Sequence, residues 1–219
     1  MDLAGAEAGA EARIGLLLAL RAKGLRDTDV LRAFETVPRS RFVPRRYVDL
    51  AYADLALPIA CGQSTLAPSL MATMIIALDI RPEHRVLEIG AGSGYGTAIL
   101  ARLAAEVVSV ERFRSLAIEA RARLEAQGVA NASVHHADGH RGLPDRGPFD
   151  RILVEAAFDG FPQALAAQLV PTGRLVGVER GPDGSWLVRY GRATMREWDR
   201  EAIAPLALAP LMSGTAAAL

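Results

Sequence analysis

Lysine is almost missing from this chain: Lys23 is the single one, and the other basic residues are arginines. Cysteine is as scarce. Cys61 stands alone, so an intrachain disulfide is impossible and a cysteine-rich metal site is excluded. Net charge is absent too, because 25 basic and 25 acidic residues cancel and no long basic block stands out. Nothing in that balance argues for a nucleic-acid surface. Aromatics make up only 5% of the residues while 51% are hydrophobic, the profile of a globular protein built on Ala, Leu and Val. No stretch approaches the length that spans a bilayer. The apolar run IGLLLAL at 14–20 is short and leads straight into RAKG, and the N-terminus carries Asp2 and Glu7 instead of a signal peptide's positive charges. These features point to a cytoplasmic chain with no membrane partner. Its 219 residues suffice for one domain with a substantial core.

Residues 1–9 are rich in Ala and Gly and are expected to fray. A short helix is expected from Ala10 to about Ala22, stopping near Gly24. Asp27 and Thr28 are candidate caps for a second helix with Val30, Leu31, Phe34 and Val37 at helical spacing, ended by Pro38. A long, proline-punctuated segment follows up to Pro68, and a loop of that length in a compact domain is usually functional. After it the pattern alternates. Helices are expected at 68–79, 95–104, 113–127 and 162–169, and strands at 85–90, 107–111, 133–137, 149–156 and 173–179. Two late strands, WLVRY (186–190) and a stretch around 198–208, read as antiparallel additions. Such alternation predicts a doubly wound, mostly parallel α/β sheet. Residues 1–67 then form an extension of helices and loop packed on a core of 68–219, within one compact domain.

In a sheet of this kind the ligand binds beyond the carboxyl ends of the strands, next to the first one. The residues there are VLEIGAGSGYG, where Gly90, Gly92 and Gly94 allow a sharp turn and a close backbone approach. The dinucleotide fingerprint needs a third glycine at position 95, which is Tyr95, and no P-loop lysine follows. Glu88 ends the first strand, where an acid repels a pyrophosphate and suits a cation. Glu111 ends the second strand, placed for ribose hydroxyls, and Asp138 with Gly139 ends the third, placed for an adenine amino group. Three acids around one glycine turn point to S-adenosylmethionine (SAM), which carries an ammonium and a sulfonium and no phosphate.

Several separate stretches resemble the protein-L-isoaspartate O-methyltransferase family, across roughly residues 37–214. VPRSRFVP (37–44) is similar to its opening motif, and AYADLALPI (51–59) with GQSTLAP (62–68) to its substrate loop. VLEIGAGSGYG, SVER (109–112), HADGH (136–140) and FDRILVEAA (149–157) are similar to its cofactor blocks, and LVPTGRLVGV (169–178) and APLMSG (209–214) to its closing motifs. The resemblance implies a Rossmann-like class I methyltransferase that repairs proteins by methylating the stray carboxylate of isoaspartyl residues. It also implies a protein or peptide as partner. By the same carry-over Glu88, Gly90, Ala91, Gly92, Gly94, Glu111, Arg112, Asp138 and Gly139 are SAM contacts. Three positions depart from the family pattern. Leu66 stands where the family carries a loop serine, Glu155 where it has a small residue or Thr, and Met212 where a hydroxyl is common. They bear on the acceptor and leave the cofactor untouched.

Methyl transfer from a sulfonium to a carboxylate needs no general base, since a carboxylate with a reference pKa of about 3.9 is ionised at neutral pH. It needs alignment and exclusion of water. Gln63, Ser64 and Thr65 are the candidate catalytic residues, as donors that orient the carboxylate, and Thr65 is the candidate substitute for the serine lost at Leu66. The bland alternative makes 62–68 a cap for the helix at Pro68. His136, Asp138 and His140 could suggest a metal, but His135 and His136 point to opposite faces of a strand and no further ligands cluster there, so no metal is expected. Glu155 is open between a salt bridge to an arginine and a determinant of acceptor choice. Three other readings stay open: SAM with a different peptide or small-molecule acid as acceptor, a non-catalytic SAM-binding protein, and a nicotinamide oxidoreductase. The sequence does not set the oligomeric state.

Overall fold

The computed structural model describes residues 3–192 and 197–218. Seven strands form one sheet: β1 (Arg85–Ile89), β2 (Glu106–Glu111), β3 (Ala132–His136), β4 (Phe149–Asp159), β5 (Leu169–Gly181), β6 (Gly184–Arg192) and β7 (Trp198–Pro205). Their order is β3-β2-β1-β4-β5-β6-β7. The first five run parallel, and β6 and β7 add antiparallel pairs at one edge. The chain leaves β1 for β2 and β3 on one side and returns to place β4 on the other, so the strand order reverses between β1 and β4. That switch point is where an open α/β sheet offers a crevice.

Parallel strands covered on both faces need nearly continuous apolar sequence. Val86, Leu87 and Ile89 of β1 and Ile152, Leu153 and Val154 of β4 meet that demand, each at most 1% exposed. The crossovers are α4 (Tyr95–Leu100), α5 (Arg114–Ala126) and the short α6 (Gln163–Ala166), with only a 3-10 turn, Pro144–Arg146, between β3 and β4. Helices α1 (Leu3–Ala22), α2 (Thr28–Thr36) and α3 (Pro68–Leu78) complete the set. Leu16 and Leu20 of α1 and Val30, Leu31 and Phe34 of α2 are buried in one cluster with Met74, Ile75 and Leu78 of α3.

Several boundaries differ from those expected. Helix α1 begins at Leu3 where Ala10 was expected, because the Ala/Glu-rich start that reads as frayed is also strong helix former; residues 1 and 2 lie outside the described residues. Helix α4 stops at Leu100, and tighter turns carry the chain on to Ala104. Helix α6 is shorter than its sequence suggests since Leu169 already pairs with Phe149 in the sheet. The cap is as read: the Asp27 carboxylate accepts from the backbone N–H of Asp29 and Val30. No described helix is long and apolar enough to cross a membrane.

Two substitutions far from the sheet's crevice are expected to shift stability in opposite directions. Asp27→Ala removes the cap and lowers unfolding free energy by about 0.5–2 kcal/mol. Gly15→Ala, in an exposed turn of α1 with nothing within 4 Å of an added Cβ, raises it by up to ~1 kcal/mol. Urea denaturation of the two variants beside the parent chain checks both signs.

Candidate active site

Strand β1 runs directly into the glycine turn. Gly90, Gly92 and Gly94 have φ of +103°, +53° and +88°, a region open to glycine and strained for other residues. The amides of Gly90 and Ala91 donate to Val110 O on β2 at 2.8 and 3.1 Å. Glu111, at the end of β2, braces the turn: its Oε2 accepts from Gly92 N and its Oε1 from Phe113 N, both at 2.9 Å. Each of those oxygens retains capacity for a second bond. Tyr95, at the position a dinucleotide fingerprint reserves for glycine, is 2% exposed and packs edge-on against Phe34 with centroids 6.1 Å apart. A large ring fills the space that the third glycine of a nicotinamide site would open.

Across the crevice lies the loop 57–66. It is a tight turned-back segment, not a helix cap. Thr65 N donates to Leu57 O at 2.8 Å, Ile59 N to Gln63 O at 2.8 Å, and Gln63 N to Ala60 O at 3.2 Å. Cys61 and Gly62, at the tip, both have positive φ, +57° and +62°, which is the geometry of a two-residue hairpin turn. Cys61 is therefore a turn residue, its Sγ 3.2 Å from Ser115 Oγ. The N-terminus of α3 is served from elsewhere, by Asp54 Oδ1 accepting from Ser69 N at 2.8 Å. Asp54 in turn pairs with Lys23, the lone lysine, which ties the segment to the end of α1.

What fixes this loop is Arg39, whose side chain is fully buried. Its Nη1 donates to Ala51 O (3.1 Å) and Ala53 O (3.0 Å). Its Nη2 donates to Leu55 O (2.8 Å), Thr65 Oγ1 (2.9 Å) and Leu66 O (3.1 Å). The guanidinium carbon lies 5.7 Å from the centroid of the Tyr95 ring, linking the loop to α4. Among the described residues no carboxylate touches it; carbonyl and hydroxyl dipoles carry the charge, and burial lowers its pKa.

The glycine turn and the loop line a single cleft of about 840 Å³, its open mouth included. Of the expected catalytic residues, Gln63, Ser64 and Thr65 all line it. So do Gly90, Ala91, Gly92, Glu111, Arg112 and Gly139 from the expected cofactor set. Three of that set do not. Glu88 is buried directly beneath, Gly94 lies against Ala120 of α5, where an added Cβ would come within 3.3 Å, and Asp138 turns its carboxylate to His140 N at 3.0 Å. The cleft is roofed by the tail that follows β7. Leu211 N donates to Ala157 O at 2.7 Å and Ala157 N to Ala209 O at 2.8 Å, so Ala209–Met212 cross over the end of β4. His140 Nε2 donates to Leu211 O at 2.8 Å. The histidine that suggested a metal ligand is a tie for this strap.

Residues 12–196 match the profile of the protein-L-isoaspartate(D-aspartate) O-methyltransferase family. The chain belongs to that family. It is 46% identical to a protein-L-isoaspartate O-methyltransferase of Xanthobacter autotrophicus over 208 residues, 94% of each chain. With "Protein-L-isoaspartate O-methyltransferase 2" of Rhodopseudomonas palustris it shares 48% over 176 residues, 80% of this chain and 81% of the other. A solved protein-L-isoaspartate O-methyltransferase superimposes with a TM-score of 0.79 at 26% identity, covering 90% of this chain; this chain spans 65% of that one. A Plasmodium falciparum structure assigned to the same enzyme, in complex with S-adenosyl-L-homocysteine, shares the fold with a TM-score of 0.78 at 21% identity, over 90% of this chain and 97% of that one.

Against the family pattern, Leu66 lines the cleft, packs against the core and gives its carbonyl to Arg39, and Met212 lines the mouth, 51% exposed. Among the described residues Glu155 meets no arginine. It lies where the β4–β5 register jumps between Leu153 and Ala157, an irregularity that re-aims side chains, and it points to Glu88. Glu88 Oε2 accepts from Thr97 Oγ1 at 2.5 Å and from Ser109 Oγ. Glu88 Oε1 and Glu155 Oε1 are buried without a donor. Burial raises both carboxyls above the usual range. For Glu155, pushed well up, the next cause is the charge of Glu88; for Glu88 the hydroxyls of Ser109 and Thr97 pull back down. Arg39 and this pairing of Glu155 were not legible beforehand. Arg39 and Arg41 flank one serine in RSR, and nothing in the letters says which is buried.

Gly96 is the point at which the two carboxyls converge, since an added Cβ would sit 2.5 Å from Glu155 Oε1 and 2.6 Å from Glu88 Oε1. Gly96→Ala is expected to cost about 1–3 kcal/mol of stability by overpacking, read as a lower thermal midpoint, together with weaker SAM binding.

Proposed function

We propose that this chain transfers the methyl group of SAM to the free carboxylate of L-isoaspartyl residues in damaged proteins and peptides, using the cleft between the glycine turn and the loop 57–66. The observation that carries the reading is that an acid-floored backbone cradle and an Arg39-held hydroxyl loop face one space. Family membership supports the acceptor. The donor set fits SAM: Glu88, Glu111 and Glu155 surround the turn and suit a cationic ligand, and the turn's glycines let it approach the backbone. A nicotinamide is opposed by Tyr95 and by those same acids. An acceptor of another kind, which Leu66 invited, is not favoured by the relatives.

Bound SAM supplies an electrophilic methyl on a sulfonium. The chain's own work is to hold a carboxylate in line with it and keep water out. Thr65 Oγ1 accepts from Arg39 Nη2 at 2.9 Å and from Leu57 N at 3.1 Å. Those bonds use its two lone pairs, so the hydroxyl proton is its one remaining hydrogen-bonding group. On a residue that lines the cleft, that proton is available to the acceptor carboxylate. Thr65 therefore supplies the hydroxyl that Leu66 lacks. The apolar walls from Ile59, Leu66, Met71 and Leu211 exclude water around it. Gln63 is partly committed, donating to Cys61 O at 3.0 Å, and Ser64 contributes a second hydroxyl at the rim.

Methyl transfer from labelled SAM to a short isoaspartyl peptide, beside its aspartyl twin and a no-acceptor control, tests this directly. Labelling confined to the isoaspartyl peptide is expected. No labelling with SAM bound would overturn the acceptor. A hydrogen bond to a charged group is worth about 1.5–3 kcal/mol, so Thr65→Val is expected to lose roughly 10- to 100-fold in kcat/KM for the peptide, and Thr65→Ser to keep most of it. An undiminished Thr65→Val would remove Thr65 from the mechanism.

A further inference from the structure

A fully buried carboxyl facing a half-buried one, with no cation between them among the described residues, is a costly arrangement unless something shares their charge. Glu88 reaches the pair from β1 and Glu155 from the register jump in β4, and both direct Oε1 to the space above Gly96. Neither oxygen has a donor if both groups are ionised. One proton between them satisfies both at once, as O–H on Glu155 and acceptor on Glu88. The hydroxyls of Thr97 and Ser109 already hold Glu88 Oε2, which leaves the proton with Glu155.

Among the described residues the surroundings supply no neutralising charge at close range. From β2 comes Glu111, a third acid that acts on both members. From α4 comes Tyr95, whose burial holds its phenol neutral. The residues of β5 opposite this stretch, Val176–Val178, carry no charge. The loop offers the neutral Gln63, Ser64 and Thr65, α3 offers Met71, and the tail offers Ala209–Met212. Arg112 lines the cleft near the end of β2, and Arg39 is held behind Thr65 and Tyr95 by backbone carbonyls. Glu155 itself lines the cleft, so a ligand entering it meets the pair.

We propose that Glu155 and Glu88 hold one proton between them and act as a charge gauge for the cofactor, giving up that proton to solvent when the sulfonium of SAM binds and retaining it when the sulfur is neutral, as in S-adenosylhomocysteine. This rests on the SAM reading above. The consequence is a site that favours the methylated cofactor over the spent one by charge alone, since only the sulfonium repays a second ionised carboxylate. It assigns a specificity role to Glu155, a residue that departs from the family pattern.

Isothermal titration calorimetry at neutral pH, in buffers of differing ionisation enthalpy, counts the protons exchanged on binding. SAM is expected to release about one proton per site, S-adenosylhomocysteine distinctly fewer, and Glu155→Gln none with either ligand while losing preference for SAM. Equal proton counts for SAM and S-adenosylhomocysteine in the parent chain would overturn the proposal without any variant. So would a proton release that survives Glu155→Gln. Absence of any binding heat with either ligand would overturn the SAM reading and this inference with it.

Discussion

The buried guanidinium of Arg39 is the constraint on which the acceptor side of this protein depends. A charge in the interior is costly unless its donors are met; here Nη1 and Nη2 find acceptors, while Nε is buried without one. Here the acceptors are strung along the segment that has to be shaped: carbonyls of Ala51, Ala53, Leu55 and Leu66, and the hydroxyl of Thr65. A lysine has one compact ammonium and three donors, and cannot fork toward so many separated oxygens. Because the same residue stacks on Tyr95, the loop is referenced to the helix that leaves the glycine turn. Two halves of one site are thus held by one side chain.

The other half is organised by acids. Glu111 spends its primary hydrogen bonds on the backbone of the turn and its neighbour, tying the end of β2 to the cradle. Glu88 sits below, opposite Ser109 in the parallel register of β1 and β2, and that pairing delivers the hydroxyl that holds it. The concentration of negative charge explains a preference for a cationic cofactor in a chain whose overall charge is zero.

The parallel core was legible because its strands are apolar runs bounded by glycine and charge. RVLEIG and VVSVE read as short apolar strands, and the acids near their ends lie beside the crevice. The sequence marked 62–68 as a segment beside the crevice, and it lines the cleft, yet its shape was not legible: Cys61 at positive φ is not readable from a cysteine, and the bonding of Thr65 Oγ1 depends on Arg39, 26 residues away. The inward turn of Glu155 depends on a register jump between β4 and β5, and register is a property of two strands, not of either sequence. Asp138 and Gly94 also have local partners that no single strand reveals: the Asp138 carboxylate accepts from His140 N, and Gly94 lies against Ala120 of α5. Local pattern reports which elements form; long-range contacts decide which side chains meet.

The most direct test of the account is amide hydrogen exchange across residues 57–66 in Arg39→Met compared with the parent chain. Thr65 N and Ile59 N bond within the loop, and opening free energies of such a unit are read from their protection. The account predicts that protection is lost there while the amides of β1 and β4 keep theirs. Unchanged protection of the loop in Arg39→Met would contradict it.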